Sequence, residues 1–275
     1  MGEKKISVIM GVYNPENSLH LFYAVKSIQE QSFKDWELIL YDDGSKEEYA
    51  RFIREAAALD ERIVYFRCRE NHGLAFALNA CICLSHGKYI ARMDDDDLSR
   101  KDRLEKQYDF LEAYPQYHWV GSSARLMDGR QFWGKRKMPL IPGKKDFLHY
   151  SPYIHPSVMF RRNVLISCGG YSTLKKNRQC EDYELFIRLY EKGFRGYNLQ
   201  EPLLAYREDK YSYERRTYSR RIREMRLRME GFKKLDILDL EGFFYSLKPL
   251  GAGLVPGPVQ HFIRRRRKKD RDELI

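Results

Sequence analysis

The chain has 275 residues, 43% of them hydrophobic, enough for one sizeable α/β domain or one domain with an extension. Its formal net charge of +11 calls for an anionic partner. The five cysteines are odd in number and show neither C-x-x-C nor zinc spacing, which speaks against a disulfide scaffold or a zinc site and for free thiols in a reducing cytosol. Glu3-Lys4-Lys5 leads directly into a strand-like run, so no secretory leader is expected. No stretch of about 18 apolar residues occurs, so no membrane span is expected.

Strand and helix signals alternate through the first half. Ile6 to Met10 reads as a short apolar strand, and Gly11-Val12-Tyr13-Asn14-Pro15 as the turn after it. A helix from about Ser18 to Gln31 carries Leu21, Val25 and Ile28 on one face. Trp36 to Tyr41 is a second strand that ends on Asp42-Asp43-Gly44-Ser45. That ending has turn and helix-cap chemistry of its own, since Asp and Ser bond nearby backbone N–H groups and Gly takes positive φ. A helix over about Glu47 to Leu59 and a strand over Ile63 to Phe66 follow. Asn71-His72-Gly73 then opens a helix with Leu74, Ala77, Leu78 and Cys81 on one face. Strands separated by helices of this length imply crossover connections and a mainly parallel sheet.

The fourth strand, Tyr89 to Met93, stops at four consecutive carboxylates, Asp94 to Asp97. Adjacent Asp residues repel one another, but they suit a divalent cation such as Mg²⁺ or Mn²⁺, which takes hard oxygen ligands from one or two carboxylates and substrate phosphates. Ser99, followed three places on by Asp102, is the expected helix start, with Leu104, Tyr108 and Leu111 at helical spacing. A solvated acidic turn that caps this helix is the alternative. Three strand ends, at Tyr13-Asn14, Asp42-Asp43 and Asp94 to Asp97, would open on one edge of the sheet, where open α/β sheets bind ligands.

Past Tyr117 the alternation fades. Trp119-Val120-Gly121 reads as a short strand, Arg125 to Pro142 as a basic loop with Trp133-Gly134, and Ile154 to Arg161 as a strand entered through Pro156. A helix begins at Glu181-Asp182 with Phe186, Leu189 and Tyr190 inward. From Arg215 to Lys234 the chain is dense in arginine, yet Tyr218, Ile222, Met225, Met229 and Phe232 recur at helical spacing. A proline-broken apolar segment from Phe243 to Ile263 ends in the basic run Arg264 to Lys269.

Several ordered segments carry a resemblance: Ser7 to Asn14, Glu37 to Ser45, Asn71 to Asn79, and Ala91 to Asp97 followed by Arg103-Leu104 and Gln107. Together they resemble the inverting family 2 glycosyltransferases of the GT-A fold, over roughly residues 5 to 210. The resemblance implies a nucleotide-diphosphate sugar donor such as a UDP-sugar, Mn²⁺ or Mg²⁺, and an acceptor hydroxyl; with no membrane span expected to extrude a product, the expected acceptor is a lipid-linked or surface-glycan precursor. It puts Val12, Tyr13, Asn14, Asp43, Asn71, Asp94 and Asp95 around the nucleotide sugar, with Tyr13 on the base and Asp43 accepting from its ring N–H. Asp94 and Asp96 form a D-x-D for the metal, and His155 and Trp133 fall on the acceptor side. Asp95 stands where the family usually has a small residue, and Lys101 where a proline is common.

Within this reading Glu181-Asp182 is the second chemical site. A sugar hydroxyl is a poor nucleophile at neutral pH and needs a base beside it. Asp182 is the expected base, with Glu181 binding acceptor or holding the loop. Alternatively, both merely favour a helix N-terminus, whose dipole would lower a carboxylate's pKa. The expected organisation is a catalytic domain over 1–212, with a nucleotide-sugar half to about 121 and an acceptor half beyond it, and a basic amphipathic tail over 213–275. Such a tail fits an interfacial anchor on anionic lipid, at the inner face of the cell membrane; a helix packed on the domain with a solvated end is the alternative. The basic run would also suit nucleic acid, but no nucleic-acid fold is evident. A nucleotidyltransferase of similar fold, or a non-catalytic sugar-nucleotide or lipid-binding module, are the other classes. The first would have no use for Glu181-Asp182, and the second none for the carboxylates at all.

Overall fold

The computed structural model describes residues 5–129, 131–209 and 217–253, together with 255, 259 and 262. Strand β1 (Ile6–Val12) lies between β2 (Trp36–Asp42) and β4 (Tyr89–Arg92), with β3 (Ile63–Arg67) outside β2, all in parallel register. Helices α1 (Ser18–Gln29), α2 (Glu47–Ala57) and α3 (Leu74–Leu84) form the crossovers. These strands are continuous apolar runs because helices cover both faces of the sheet. β1 runs two residues beyond the expected Met10. Gly11 allows this, since a Cβ there would lie 2.9 Å from the Ala77 side chain of α3. The Asn17 side chain caps α1 by accepting from the Leu19 amide.

The second half differs from its sequence reading in four places. Ser99 does not start a helix: Leu98–Ser99 is a short strand, β5, and α4 (Arg103–Ala113) begins after it. The Ser99 hydroxyl is engaged by the Gln31 side chain, which also holds Leu104 at the head of α4. The strand from Trp119 continues to Asp128 as β6, and Gln131–Arg136 returns beside it as β7, where a loop was expected from Arg125. His155–Ser157 is a single tight turn, and only Met159–Arg161 is strand, β8. Helices α5 (Arg162–Ser167) and α6 (Glu181–Glu191) follow, and then β9 (Gly196–Arg207), which the sequence reading missed.

Among the described residues nine strands form one sheet, in the order β3-β2-β1-β4-β8-β6-β9-β5, with β7 beside β6. The first four strands are parallel; β8 enters antiparallel to both β4 and β6, so the sheet is mixed. β8 is the joint between the halves, and it sets the end of β4 beside the turn at His155–Ser157.

The first part of the basic tail packs on this body. Helix α7 (Tyr218–Lys234) places Leu227 and Phe232 in the same apolar core as Trp119, Phe160 and Phe186, joined by Leu235 and Ile237 beyond its end. Arg228 is buried there, and its guanidinium donates to the Leu148 carbonyl at 2.9 Å. Helix α8 (Leu240–Gly253) lies against α7, burying Ser246 and Pro249 while leaving Leu240, Phe243 and Phe244 exposed. Of the packed and interfacial alternatives, α7 takes the packed one, and α8 packs on α7 with one face and leaves the other exposed. The boundary expected at 212–213, Pro256, Pro258 and the basic run 264–269 lie outside the described residues. No helix among the described residues is long and apolar enough to cross a membrane.

Candidate active site

The ends of β1 and β2 are tied together by their own turn residues. The Asn14 amide donates to the Ser45 hydroxyl, and the Asn14 carboxamide accepts from the Lys46 amide, both at 2.9 Å. Asn14 adopts a left-handed backbone (φ 42°), which leaves Tyr13 displayed at the rim, 50% exposed, while Val12 is buried. Asp42 is buried, accepts from the Ser45 amide and the Tyr65 hydroxyl, and pairs with Arg67. Asp43 is also buried. Its carboxylate accepts from the Asn71 side chain and from the His72 and Gly73 amides, the last at 2.7 Å. The carboxylate that the resemblance assigns to the base thus already shapes the Asn71–Gly73 turn. Gly44 (φ 78°) is required here, because a Cβ would sit 2.5 Å from the Glu70 carbonyl carbon.

The acidic cluster follows β4. Arg92, fully buried at the strand end, forms an ion pair with Asp94. Carboxylate oxygens of Asp94, Asp96 and Asp97 lie within 4.8 Å of one another. Asp97, part of the expected acidic cluster but outside the D-x-D, is buried; one oxygen accepts from the Arg207 amide at 2.7 Å and the other has no hydrogen-bond partner among the described residues. The Arg207 guanidinium donates to the Asp96 carbonyl, so β9 fixes the loop from the far edge of the sheet. Burial, with neighbouring carboxylates, pushes Asp97 well above the usual range and Asp95 up to about 6. Three hard oxygen donors and an orphaned buried carboxylate oxygen are a donor set that fits a divalent cation. Arg103 braces the loop from behind, donating to the Arg92 and Pro156 carbonyls at 2.8 and 3.1 Å. Gln107, one turn on, bonds the Val120 and Ser157 carbonyls.

A cleft of about 270 Å³ runs from Asp94 to the start of α6, where Glu181 and Asp182 line it with Arg92, Arg136, His155 and Arg220. One cleft therefore joins the two carboxylate sites. Burial pushes Asp182 up, against the opposing pull of the Tyr183 amide, Arg220 and Arg92. Burial also raises Glu181, although its carboxylate accepts from the Gln179 amide at 2.8 Å. The helix dipole alone would lower both; here desolvation outweighs it. His155 is buried beside Tyr171, Nε2 to hydroxyl 2.8 Å, and burial with Arg92 nearby drives its pKa well below the ordinary value. A neutral imidazole results. Trp133 does not line this cleft: it sits on β7, and its indole N–H donates to the Glu208 carbonyl at 3.2 Å. Arg136 and Arg220 do line it, and sequence reasoning passed over both because single arginines in a basic chain carry no signal.

Residues 7–177 match the family model described as "Glycosyl transferase family 2". EpsE of Bacillus subtilis (strain 168), whose glycosyltransferase name is itself provisional, is 37% identical over 98% of this chain and 96% of its own length. The O-antigen biosynthesis glycosyltransferase WbnJ of Escherichia coli is 32% identical over 74% of this chain and 79% of its own. Among solved structures, the mannosyltransferase PcManGT of Pyrobaculum calidifontis, in complex with GDP-Man and Mn²⁺, superposes with a TM-score of 0.63 at 17% identity, covering 95% of this chain and 79% of that one. At that identity the likeness speaks for the fold.

Proposed function

The chain belongs to glycosyl transferase family 2 and has its GT-A fold, and from that premise we propose that it moves a sugar from a nucleotide-diphosphate donor to an acceptor hydroxyl in a single inverting displacement. The observation that carries this is the one cleft lined by both Asp94 and Asp182. Displacement at an anomeric carbon needs charge relief on the leaving diphosphate and a base on the attacking hydroxyl, and the cleft offers acidic groups for both tasks.

In this reading Tyr13 stacks on the nucleotide base from its exposed rim position, flanked by Val12, Asn14 and the Asn71 turn. Asp94, Asp96 and Asp97 hold Mn²⁺ or Mg²⁺, with Asp95 beside them. The metal, when bound, neutralises the diphosphate as it leaves. Asp182 takes the acceptor's proton, and its raised pKa strengthens it as a base. Glu181 holds the Gln179 turn that presents Asp182. His155, neutral and bonded to Tyr171, lines the acceptor side as a hydrogen-bonding group. The acceptor is a lipid-linked or surface-glycan precursor, met at an anionic membrane surface on its cytoplasmic face. The O-antigen relative and the apolar face of α8 support that setting.

The test is a donor screen, with UDP-sugars first and GDP-mannose beside them, recording nucleotide diphosphate release with and without Mn²⁺. Release should depend on metal and vanish in Asp96→Asn. Mn²⁺ should also raise the melting temperature of wild type, as any ligand that binds only the folded state does, and leave Asp96→Asn unmoved. Full activity in excess chelator would remove the metal role.

A further inference from the structure

What His155 can offer the cleft depends on which of its nitrogens carries the proton. Burial, with Arg92 nearby, keeps the imidazole neutral, so one nitrogen is a donor and the other an acceptor. Nε2 lies 2.8 Å from the Tyr171 hydroxyl. Burial raises the Tyr171 pKa, so the phenol keeps its proton. Tyr171 is 2% exposed, and among the described residues His155 Nε2 is the hydrogen-bond partner of its hydroxyl. Were Nε2–H the donor, the phenol proton would be buried with no acceptor, at the full cost of desolvating it. The phenol therefore donates, Nε2 accepts, and the imidazole proton sits on Nδ1.

Tyr171 is held in place from two helices. Its amide donates to the Asn79 side chain at 2.7 Å and its carbonyl accepts from the same side chain at 2.8 Å, which fixes it to α3. Gly170 turns the chain with a positive φ of 67°, and a Cβ there would lie 2.3 Å from Asn79 Oδ1. Arg188 of α6 donates to the Gly170 carbonyl at 2.7 Å, so the helix that carries Asp182 braces the same turn. His155 Nδ1 has no hydrogen-bond partner among the described residues and is not sealed in the core, so it reaches the cleft that the ring lines with Pro156 and Asp182. The carboxylates of Glu181 and Asp182 only accept when ionised. A sugar hydroxyl both donates and accepts, so an N–H beside them complements its oxygen.

We propose that Tyr171 is a positioning residue: by donating to Nε2 it holds His155 in the Nδ1–H form, which donates from the cleft wall to a hydroxyl oxygen of the acceptor sugar, next to the hydroxyl that loses its proton to Asp182. The proposal rests on the transfer reading above and adds how its acceptor is oriented.

Nitrogen NMR of histidine-labelled protein tests the first step, since the two neutral tautomers differ in their ring nitrogen shifts and couplings. Wild type should show His155 as Nδ1–H, the less populated form of a free neutral side chain. Tyr171→Phe should move it toward Nε2–H, which a role of Tyr171 in packing alone would not do. The second step adds octyl glycosides of glucose, galactose, mannose and N-acetylglucosamine in the presence of UDP and Mn²⁺. At least one should shift the His155 Nδ1–H signal of wild type. Tyr171→Phe should bind that glycoside about two- to tenfold more weakly, the scale of one neutral hydrogen bond, while UDP binds as in wild type. His155→Asn, whose amide can stand where Nδ1–H stood, should bind it more tightly than His155→Gln, whose amide falls nearer Nε2. The proposal is overturned by a wild-type Nε2–H tautomer, by a tautomer that Tyr171→Phe leaves unchanged, or by glycosides that never move the His155 signal. Should wild type bind no UDP, the transfer reading fails, while the tautomer and the glycosides alone still decide the role of Tyr171.

Discussion

Asp182 is where the opposing electrostatic effects meet. The start of α6 and two arginines favour its charged form, but burial outweighs them and its pKa is raised. The folded state therefore keeps this proton to a higher pH than the unfolded chain does. The stability linked to this proton is fully present below the unfolded pKa and is lost as pH rises through the folded one. Once pH has risen above the folded pKa the ionised Asp182 destabilises the fold, and there Asp182→Asn should melt at the same temperature as wild type or higher. Asn caps about as well as Asp, so the helix start is preserved. Transfer should nevertheless fall by about 10²-fold or more, the scale of a lost general base. In wild type the rate should climb with pH along an acid limb displaced upward from that of an ordinary aspartate, and that limb should be missing in the variant. If Asp182→Asn keeps more than about a third of wild-type transfer, the base role moves to Glu181. Glu181→Gln should lose less, because the Gln179 contact it makes is one a carboxamide oxygen can also accept.

The elements show what a sequence can and cannot reveal. The parallel half was legible because each strand is an apolar run and each helix carries one apolar face, as in Leu21, Val25 and Ile28 of α1. β9 was not. It contains Pro202, pairs with β6 through two register shifts and buries its residues irregularly, so neither strand periodicity survives in it. The distinct place of Asp97 within the acidic cluster was not legible for a related reason. Four adjacent aspartates look equivalent in sequence, and what sets Asp97 apart is an amide of β9, Arg207, over a hundred positions away. Ser99 looked like a cap because its real partner, Gln31, is also remote, 68 positions back. Arg103 gives this dependence a measurable form. It is fully buried, and its guanidinium satisfies carbonyls from the end of β4 and from the His155–Ser157 turn. Arg103→Met fills similar space but leaves both acceptors without donors, at about 1–3 kcal/mol for each buried group. We expect a loss of about 2–6 kcal/mol in chemical denaturation. Mn²⁺ affinity should also weaken, because the loop after β4 loses its brace. Unchanged metal affinity in a destabilised variant would show that the acidic loop is held from the β9 side alone.

On the scale of the whole molecule, the net charge of +11 and the exposed face of α8 bear on the same question, where this enzyme works. Basic residues near an anionic bilayer contribute about 1 kcal/mol each, and that attraction fades within a Debye length. A fully buried aromatic side chain contributes about 1.5–3 kcal/mol. Arg264 to Lys269 and the pair Leu240 and Phe244 should therefore act as two separate signals, which is what stable attachment to a surface requires. Removing all of α8 would confuse the result, since Ser246 and Pro249 are buried and the Tyr245 carbonyl accepts from Arg228. The sharper variants are Leu240→Ser with Phe244→Ser, and Gln at each of the six positions 264–269. The serine variant should melt as wild type does, because Leu240 and Phe244 are exposed. Wild type should sediment with vesicles containing phosphatidylserine and be released as salt rises; the Gln variant should bind weakly at any salt. The serine variant should bind at low salt but come off sooner than wild type as salt rises, since only its charge attraction remains. Vesicle binding that neither variant reduces would put the membrane contact elsewhere on the chain, and α8 would then be a packing element of the enzyme body.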